Sequence, residues 1–259
     1  MDIEFLFDNL CLVRAWPLAR SRETPQWIFQ AAKSTLTKPM KGSTKTAGND
    51  NGTSTNQQIA GASRLVLFDF DGTLTTKDTL IEFVNFYRGR KHFLLGMLML
   101  APIMALYALK LLPNWKAKQF FLSRYFRGEK IETFNLRCLD FSAKILPTLI
   151  RTQAWEAIEV YRKENATLAV VSASAENWVK PWCDQNGFHC LATKLEVKSG
   201  LITGKMLGRN CYGDEKVCRI REHFNLSDYD EIVAYGDSRG DKEMLALAHK
   251  RHYRVWGKG

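Results

Sequence analysis

Leu65-Val66-Leu67-Phe68-Asp69-Phe70-Asp71-Gly72-Thr73-Leu74-Thr75 decides how the rest of this chain is read. Four apolar residues in a row predict a buried strand that runs into a turn. Two carboxylates two residues apart at the end of such a strand are costly unless a cation or hydrogen-bond donors compensate them. Gly72 lets the backbone turn sharply, and Thr73 sets a hydroxyl beside the acids. A carboxylate nucleophile and a carboxyl acid/base can be presented together in this way, with a metal between the protein and an anionic substrate.

Working outward, phosphoryl transfer from a dianionic ester also needs donors for the phosphoryl oxygens, a fixed cation and further acids. Each follows in order beside an apolar run. Leu168-Ala169-Val170-Val171 leads to Ser172-Ala173-Ser174. Lys216 stands near the start of a helical pattern. Glu231-Ile232-Val233-Ala234-Tyr235 leads to Gly236-Asp237-Ser238-Arg239-Gly240-Asp241. Singly, each has an ordinary explanation. Asp-x-Asp is commonly a solvated turn, Ser172 or Ser174 would cap a helix beginning near Glu176, Lys216 would be a solvated helix residue, and Gly-Asp-Ser is common turn chemistry. Their joint arrangement is what points to an enzyme.

Together, D-x-D-G-T, the Ser after the second apolar run, the Lys and G-D-S-x-x-D resemble the four motifs of haloacid dehalogenase-like (HAD) phosphohydrolases. The resemblance covers roughly residues 64 to 256. It implies that Asp69 is the nucleophile and forms an aspartyl-phosphate. Asp71 then protonates the leaving alkoxide and later helps a water attack the intermediate. By the same resemblance Thr73, Ser172, Ala173 and Lys216 bind the phosphoryl group. Mg2+ would be held by the Asp69 carboxylate, the Asp71 main-chain carbonyl and Asp237, with Asp241 orienting its waters or joining its shell. The chain is similar to subfamily IB, the phosphoserine-phosphatase-like branch, and within it to phosphatidylglycerophosphatase C-like hydrolases, whose S-A-S and G-D-S-x-x-D elements it shares. The function this implies is removal of phosphate from a membrane lipid such as phosphatidylglycerophosphate. A soluble phosphatase for phosphoserine or another small phosphomonoester is the alternative.

After the first strand about 100 residues, reading as helical, intervene before Ser172. Beyond them strands are predicted at 167–171, near 190–193, 231–235 and 252–256, with helices near 176–186, 214–223 and 241–248. Leu195-Glu196-Val197 and Leu201-Ile202-Thr203-Gly204 flank Ser199-Gly200 as a β-hairpin. The alternation predicts an α/β, Rossmann-like core with a mainly parallel sheet and helices on both faces. All the candidate acids then fall at the carboxyl ends of strands. The core is assigned to 64–77 and 151–259, and a helical C1-type cap to 78–150. Residues 1–63 form an extension. Its 40–62 segment is rich in Lys, Gly, Ser, Thr, Asn and Gln and is expected to be disordered. Asp2, Glu4 and Asp8 stand where a signal peptide would carry bases, so none is expected. Met40 is a candidate initiator.

Phe93 to Leu112 is twenty residues with a single charge at Lys110, long and apolar enough to cross a bilayer. A lone crossing would separate Asp69 from Ser172, Lys216 and Asp237. Three readings remain: a re-entrant hairpin broken near Pro102, helices lying in the lipid surface, or burial within the cap or a dimer. Arg88, Arg90, Lys91 and His92 precede the run, and Lys110, Lys116 and Lys118 close it, with Tyr107 and Trp115 nearby. Such flanks fit contact with anionic lipid at the cytoplasmic face of the inner (plasma) membrane, the alternative being the cytoplasm. A net charge of +10 agrees with an acidic surface or substrate. The bases are spread along the chain without a nucleic-acid motif, so no nucleic-acid partner is expected. The six cysteines show no C-x-x-C spacing and are expected to be reduced thiols.

Overall fold

Leu65, Val66, Leu67 and Phe68 of β1 (Arg64–Phe68) have no exposed surface, because β1 lies at the centre of a sheet covered on both sides. The structure, a computed structural model, describes residues 63–257. The readings made for residues 1–62, Cys11 included, lie outside them. The sheet has six strands in the order β4-β3-β2-β1-β5-β6. These are β2 (Thr167–Ala175), β3 (His189–Lys198), β4 (Leu201–Leu207), β5 (Glu231–Gly236) and β6 (Lys250–Tyr253). Neighbours run parallel except β3 and β4, which form the expected hairpin around Ser199-Gly200.

Side chains alternate across β1. Leu65 and Leu67 meet Ile220 and Phe224, from and just beyond α8 (Asp214–His223), and Met244 and Leu245 of α9 (Lys242–Leu247). Val66 and Phe68 face Trp178, Val179 and Trp182 of α7 (Glu176–Gln185) and Ala154 and Ile158 of α6 (Thr152–Lys163). Helices therefore cover both faces, as the α/β reading requires.

Two strand boundaries differ from expectation. β6 spans Lys250–Tyr253, not 252–256: Val233 pairs with Lys250 and Gly236 with Tyr253, so pairing with β5, and not the apolar Val255-Trp256, sets its extent. β2 does not stop at 171. It continues through Ser172-Ala173-Ser174 to Ala175, where the register with β3 shifts.

Between β1 and β2 the chain inserts α1 (Thr79–Arg88), α2 (Arg90–Ala108), α3 (Asn114–Phe126), α4 (Ile131–Lys144) and the short α5 (Leu146–Leu149). Asp78 caps α1 by accepting from the Leu80 and Ile81 amides. The insertion has an aromatic centre at Phe83, which stacks on Trp178 (4.8 Å) and meets Phe126, Phe134 and Phe141 edge-on or tilted at 5.2–5.5 Å. It is also bonded to the β3–β4 hairpin through its backbone: Gly128 N donates to Ile202 O, Ile202 N to Glu129 O and Ile131 N to Gly200 O. Its two ends lie side by side, with Thr76 N donating to Leu149 O and Arg151 N to Leu74 O.

The apolar run forms one helix that continues across Pro102 and ends at Ala108. It is not a hairpin broken at the proline. Pro102 lies on the exposed side, where the carbonyl it leaves without an amide can reach water. Nor is the helix buried: Phe93, Gly96, Met97, Leu100 and Met104 pack inward, while Leu94, Leu95, Leu98 and Met99 are 43–71 % exposed.

Candidate active site

The three central strands deliver the site at their carboxyl ends. β1 hands over to Asp69, whose amide donates to Tyr235 O (2.9 Å), extending the pairing with β5 by one residue. A tight turn over Phe70–Leu74 follows. Gly72 at its centre has φ 81°, and a Cβ there would stand 2.4 Å from Asp237 Oδ2, so both the conformation and the approach of Asp237 require glycine. Arg151 ties this turn down from the return end of the insertion. Its guanidinium donates to the carbonyls of Gly72 (3.2 Å), Thr75 (3.2 Å) and Trp256 (3.3 Å).

Lys216, in the first turn of α8, is 1 % exposed. Its ammonium donates to Asp69 Oδ1 (2.6 Å), Asp241 Oδ1 (2.6 Å) and Val171 O (2.7 Å). Asp241 uses both oxygens within the protein: Oδ1 takes Lys216, and Oδ2 accepts from Ser238 N (2.9 Å), Ser238 Oγ (2.8 Å) and Asp237 N (3.2 Å). It thereby fixes the lysine and the loop that carries Asp237. Gly236 is needed in that loop because a Cβ would fall 2.5 Å from the Asp241 Cβ.

Burial, and then repulsion from Asp241, push the Asp69 carboxyl well above its ordinary range, with Lys216 pulling it back. The same two causes raise Asp237 to about 6. Burial opposes the Lys216 charge, yet Asp241 and Asp69 outweigh it and hold the group protonated. Burial likewise opposes the Asp241 carboxylate, and Lys216 and Ser238 hold it ionised. Three carboxylates, those of Asp69, Asp237 and Asp241, offer oxygens within 4.8 Å of one another against the single ammonium bonded among them. That leaves a buried surplus of negative charge on hard oxygen donors, which fits a divalent cation such as Mg2+.

Asp71 points the other way, toward the insertion. Its Oδ1 accepts from Thr79 N (2.7 Å) and Thr79 Oγ1 (2.6 Å), and its Oδ2 from Ser174 Oγ (2.5 Å). Trp178 Nε1 in turn donates to Thr79 Oγ1 (3.2 Å). Ser172 is fully buried, and its hydroxyl accepts from Ser174 N (2.9 Å). Thr73 Oγ1 lies 3.5 Å from Asp237 Oδ1. The structure thus gathers Asp69, Thr73, Lys216, Asp237 and Asp241 at one point, with Asp71 in the adjoining turn and Ser172 and Ala173 near the end of β2.

Two further residues at this place are not in the sequence-derived set. Ser174 orients Asp71. Lys118 of α3, 2 % exposed, brings its ammonium to Ala173 O and Asn210 Oδ1 (2.9 Å). Burial lowers Lys118 to about 8, while Asp71, Asp78 and Cys211 draw it up and Lys216 pushes it down. Its signal in the sequence is positional: Lys118, Phe121, Leu122 and Tyr125 stand at i, i+3, i+4 and i+7, which sets a lysine on the buried stripe of its helix.

Parallel strands, helices on both faces, a helical insertion after the first strand and acids at the strand ends define a Rossmann-like α/β core of the kind the motifs predicted. The haloacid dehalogenase-like hydrolase family matches residues 66–246. The chain is 34 % identical over 194 residues to Protein CicA of Caulobacter vibrioides, covering 74 % of this chain and 86 % of that protein. A crystal structure from Bordetella pertussis Tohama I, of a protein with unknown function, is similar with a TM-score of 0.64 at 22 % identity, over 73 % of this chain and 89 % of that one. A substrate-bound phosphoserine phosphatase shares the fold with a TM-score of 0.50 at 24 % identity, over 74 % and 85 %. The chain belongs to the haloacid dehalogenase-like hydrolase family.

Proposed function

We propose that this hydrolase is a Mg2+-dependent phosphomonoesterase that works through an aspartyl-phosphate on Asp69, with a membrane lipid phosphate as substrate. The observation that carries the chemistry is the Lys216 ammonium, 2.6 Å from both Asp69 and Asp241, in a pocket built from four distant pieces of chain. Magnesium held by Asp69, the Asp71 main-chain carbonyl and Asp237 would offset the charge between carboxylate and phosphate.

The protein's own groups account for the remaining steps. Lys216 screens Asp69 as its carboxylate oxygen attacks phosphorus and the bond to the leaving oxygen breaks. The Ser172 hydroxyl, the Ala173 amide and Thr73 serve the phosphoryl oxygens. Asp71, held in place by Thr79 and Ser174, gives its proton to the leaving alkoxide. It then takes one from the water that attacks the phosphorus of the aspartyl-phosphate, which returns Asp69 and releases inorganic phosphate. Lys118 supplies a second cation for an anionic substrate, from the insertion side.

The lipid reading has its support in α2, whose outer face is apolar and exposed, and in a stretch from Phe83 to Gly128 with eight Lys and Arg and no acid. It would place the enzyme at the cytoplasmic face of the plasma membrane. A small phosphomonoester such as phosphoserine is the second reading, supported by the fold shared with a phosphoserine phosphatase. Phosphate release with Mg2+ is to be assayed on phosphatidylglycerophosphate in detergent micelles and on phosphoserine. Turnover of the lipid is expected, and turnover of phosphoserine alone would defeat the lipid reading. Asp69→Asn is expected to lose activity on the order of 10^4-fold or more with its circular dichroism unchanged. Retained Mg2+-dependent turnover would remove Asp69 from its role.

A further inference from the structure

The helix α2 carries two apolar faces, of which the protein covers one. Phe93, Gly96, Met97, Leu100 and Met104 pack inward, and Gly96 lets Tyr125 come so near that a Cβ would stand 2.3 Å from its hydroxyl oxygen. That hydroxyl donates to Phe93 O (2.7 Å), tying α2 to α3. The other face shows Leu94, Leu95, Leu98, Met99 and Leu106 at 42–71 % exposure, and Leu109, Leu111 and Trp115 continue it at 47–71 %. A contiguous ridge of eight large apolar side chains is more than a soluble surface ordinarily shows.

The charges around the ridge indicate what covers it. From Phe83 to Gly128 the chain has no Asp or Glu; of its eight bases Lys118 is buried in the site and Arg88 is paired with Glu129, which leaves Arg90, Lys91, Lys110, Lys116, Arg124 and Arg127. Arg90 and Lys91 stand at one end of α2 and Lys110 and Lys116 beyond the other, with the Lys116 ammonium over the Trp115 ring. A protein partner of average composition has no reason to meet a ridge free of acids and ringed by bases. An anionic bilayer surface does: acyl chains take the leucines, headgroup phosphates take the lysines and arginines, and the tryptophan sits at the boundary.

We infer that α2 docks in the plane of an anionic membrane surface as an interfacial helix, through Leu94, Leu95, Leu98, Met99 and Leu106, and does not span the bilayer. The inner face is committed to the protein, and drawing α2 into a spanning position would strip Phe93 and Gly96 from Tyr125 of α3. A helix of nineteen residues lies flat over about 28 Å, sunk by one face only. The same α3 that backs this helix carries Lys118 into the site, so the surface that holds the membrane and the cation that meets the substrate belong to one rigid pair. This deepens the lipid-phosphate reading and rests on it for its purpose, but binding and turnover are measured separately.

Flotation of the full chain with phosphatidylcholine vesicles, and with vesicles that also contain phosphatidylglycerol, tests the inference. Binding to the anionic vesicles is expected, weaker in high salt. The double variant Leu98→Glu/Met99→Glu should bind roughly a hundredfold less, and Leu139→Glu, an exposed leucine on α4, should bind as the parent does. Hydrolysis of soluble p-nitrophenyl phosphate should be equal in all three, showing that the variants fold. Equal flotation of the double variant, or equal binding to both kinds of vesicle, would overturn the inference. So would a dimer in light scattering that Leu98→Glu/Met99→Glu dissociates while neither protein floats, which would give the face to a second copy. Flotation without turnover of lipid phosphate would defeat the lipid substrate and leave the docking face standing.

Discussion

Lys118 shows what a motif search misses. Asp69, Lys216, Asp237 and Asp241 are legible because each stands at a fixed distance from an apolar strand or at a helix start, and the structure brings them within bonding reach of one another. Ser174 and Lys118 have no such anchor: Ser174 meets Asp71 because β2 runs four residues beyond its apolar run, to Ala175, and Lys118 meets the site because α3 folds back over it. Only the buried stripe of α3 hints at the lysine. Its chemistry is testable through pH. Burial places its ammonium near 8, with Asp71, Asp78 and Cys211 raising it and Lys216 lowering it. If the charged form receives the substrate anion, kcat/KM falls as pH rises through about 8, because the free enzyme loses that proton. Lys118→Met should lower kcat/KM about 10- to 100-fold below pH 7, the loss of one charged hydrogen bond, and should lack that alkaline limb. A limb of the same midpoint in Lys118→Met would assign it to another group.

Among the elements, those with a strong apolar pattern or a clear turn lie where the sequence sets them, and the ends of β2 and β6 do not. The helix beginning at Asp214 and the strand at Glu231 are where the sequence pattern sets them. β6 begins two residues before its expected start because Lys250 and Arg251 carry no apolar signal. An edge strand takes its extent from backbone bonds to β5, not from apolarity. The five inserted helices are held by their aromatic centre more than by their individual propensities. Phe83 has no exposed surface and touches rings from α3, α4 and α7. Phe83→Ala should destabilise the protein by about 3–5 kcal/mol, read from denaturant titration. A loss under about 1 kcal/mol would mean that the neighbouring rings close over the gap. Because Trp178 both stacks on Phe83 and donates to Thr79, the same variant should also loosen Asp71.

At the scale of the whole molecule, the site's surplus of acid would link a bound metal to stability. Asp69, Asp237 and Asp241 converge in the folded chain alone, so a divalent cation held by them would stabilise the native state and not the unfolded one. Mg2+ at about a hundred times its dissociation constant should add about 2.7 kcal/mol, seen as a higher Tm in calorimetry and reversed by EDTA. Asp237→Asn should lose most of that increment, and a Tm indifferent to Mg2+ in the parent would speak against a metal centre. One further feature bears on how such a protein changes over time. The insertion leaves and re-enters the core at one seam, where Thr76 bonds to Leu149 and Arg151 to Leu74. A cassette mounted at adjoining ends can lengthen, shorten or be exchanged with little penalty in closing the chain, while the strands bearing the acids stay where they are. The insertion, and with it the outer face of α2, is therefore free to change in this scaffold without reinventing its chemistry.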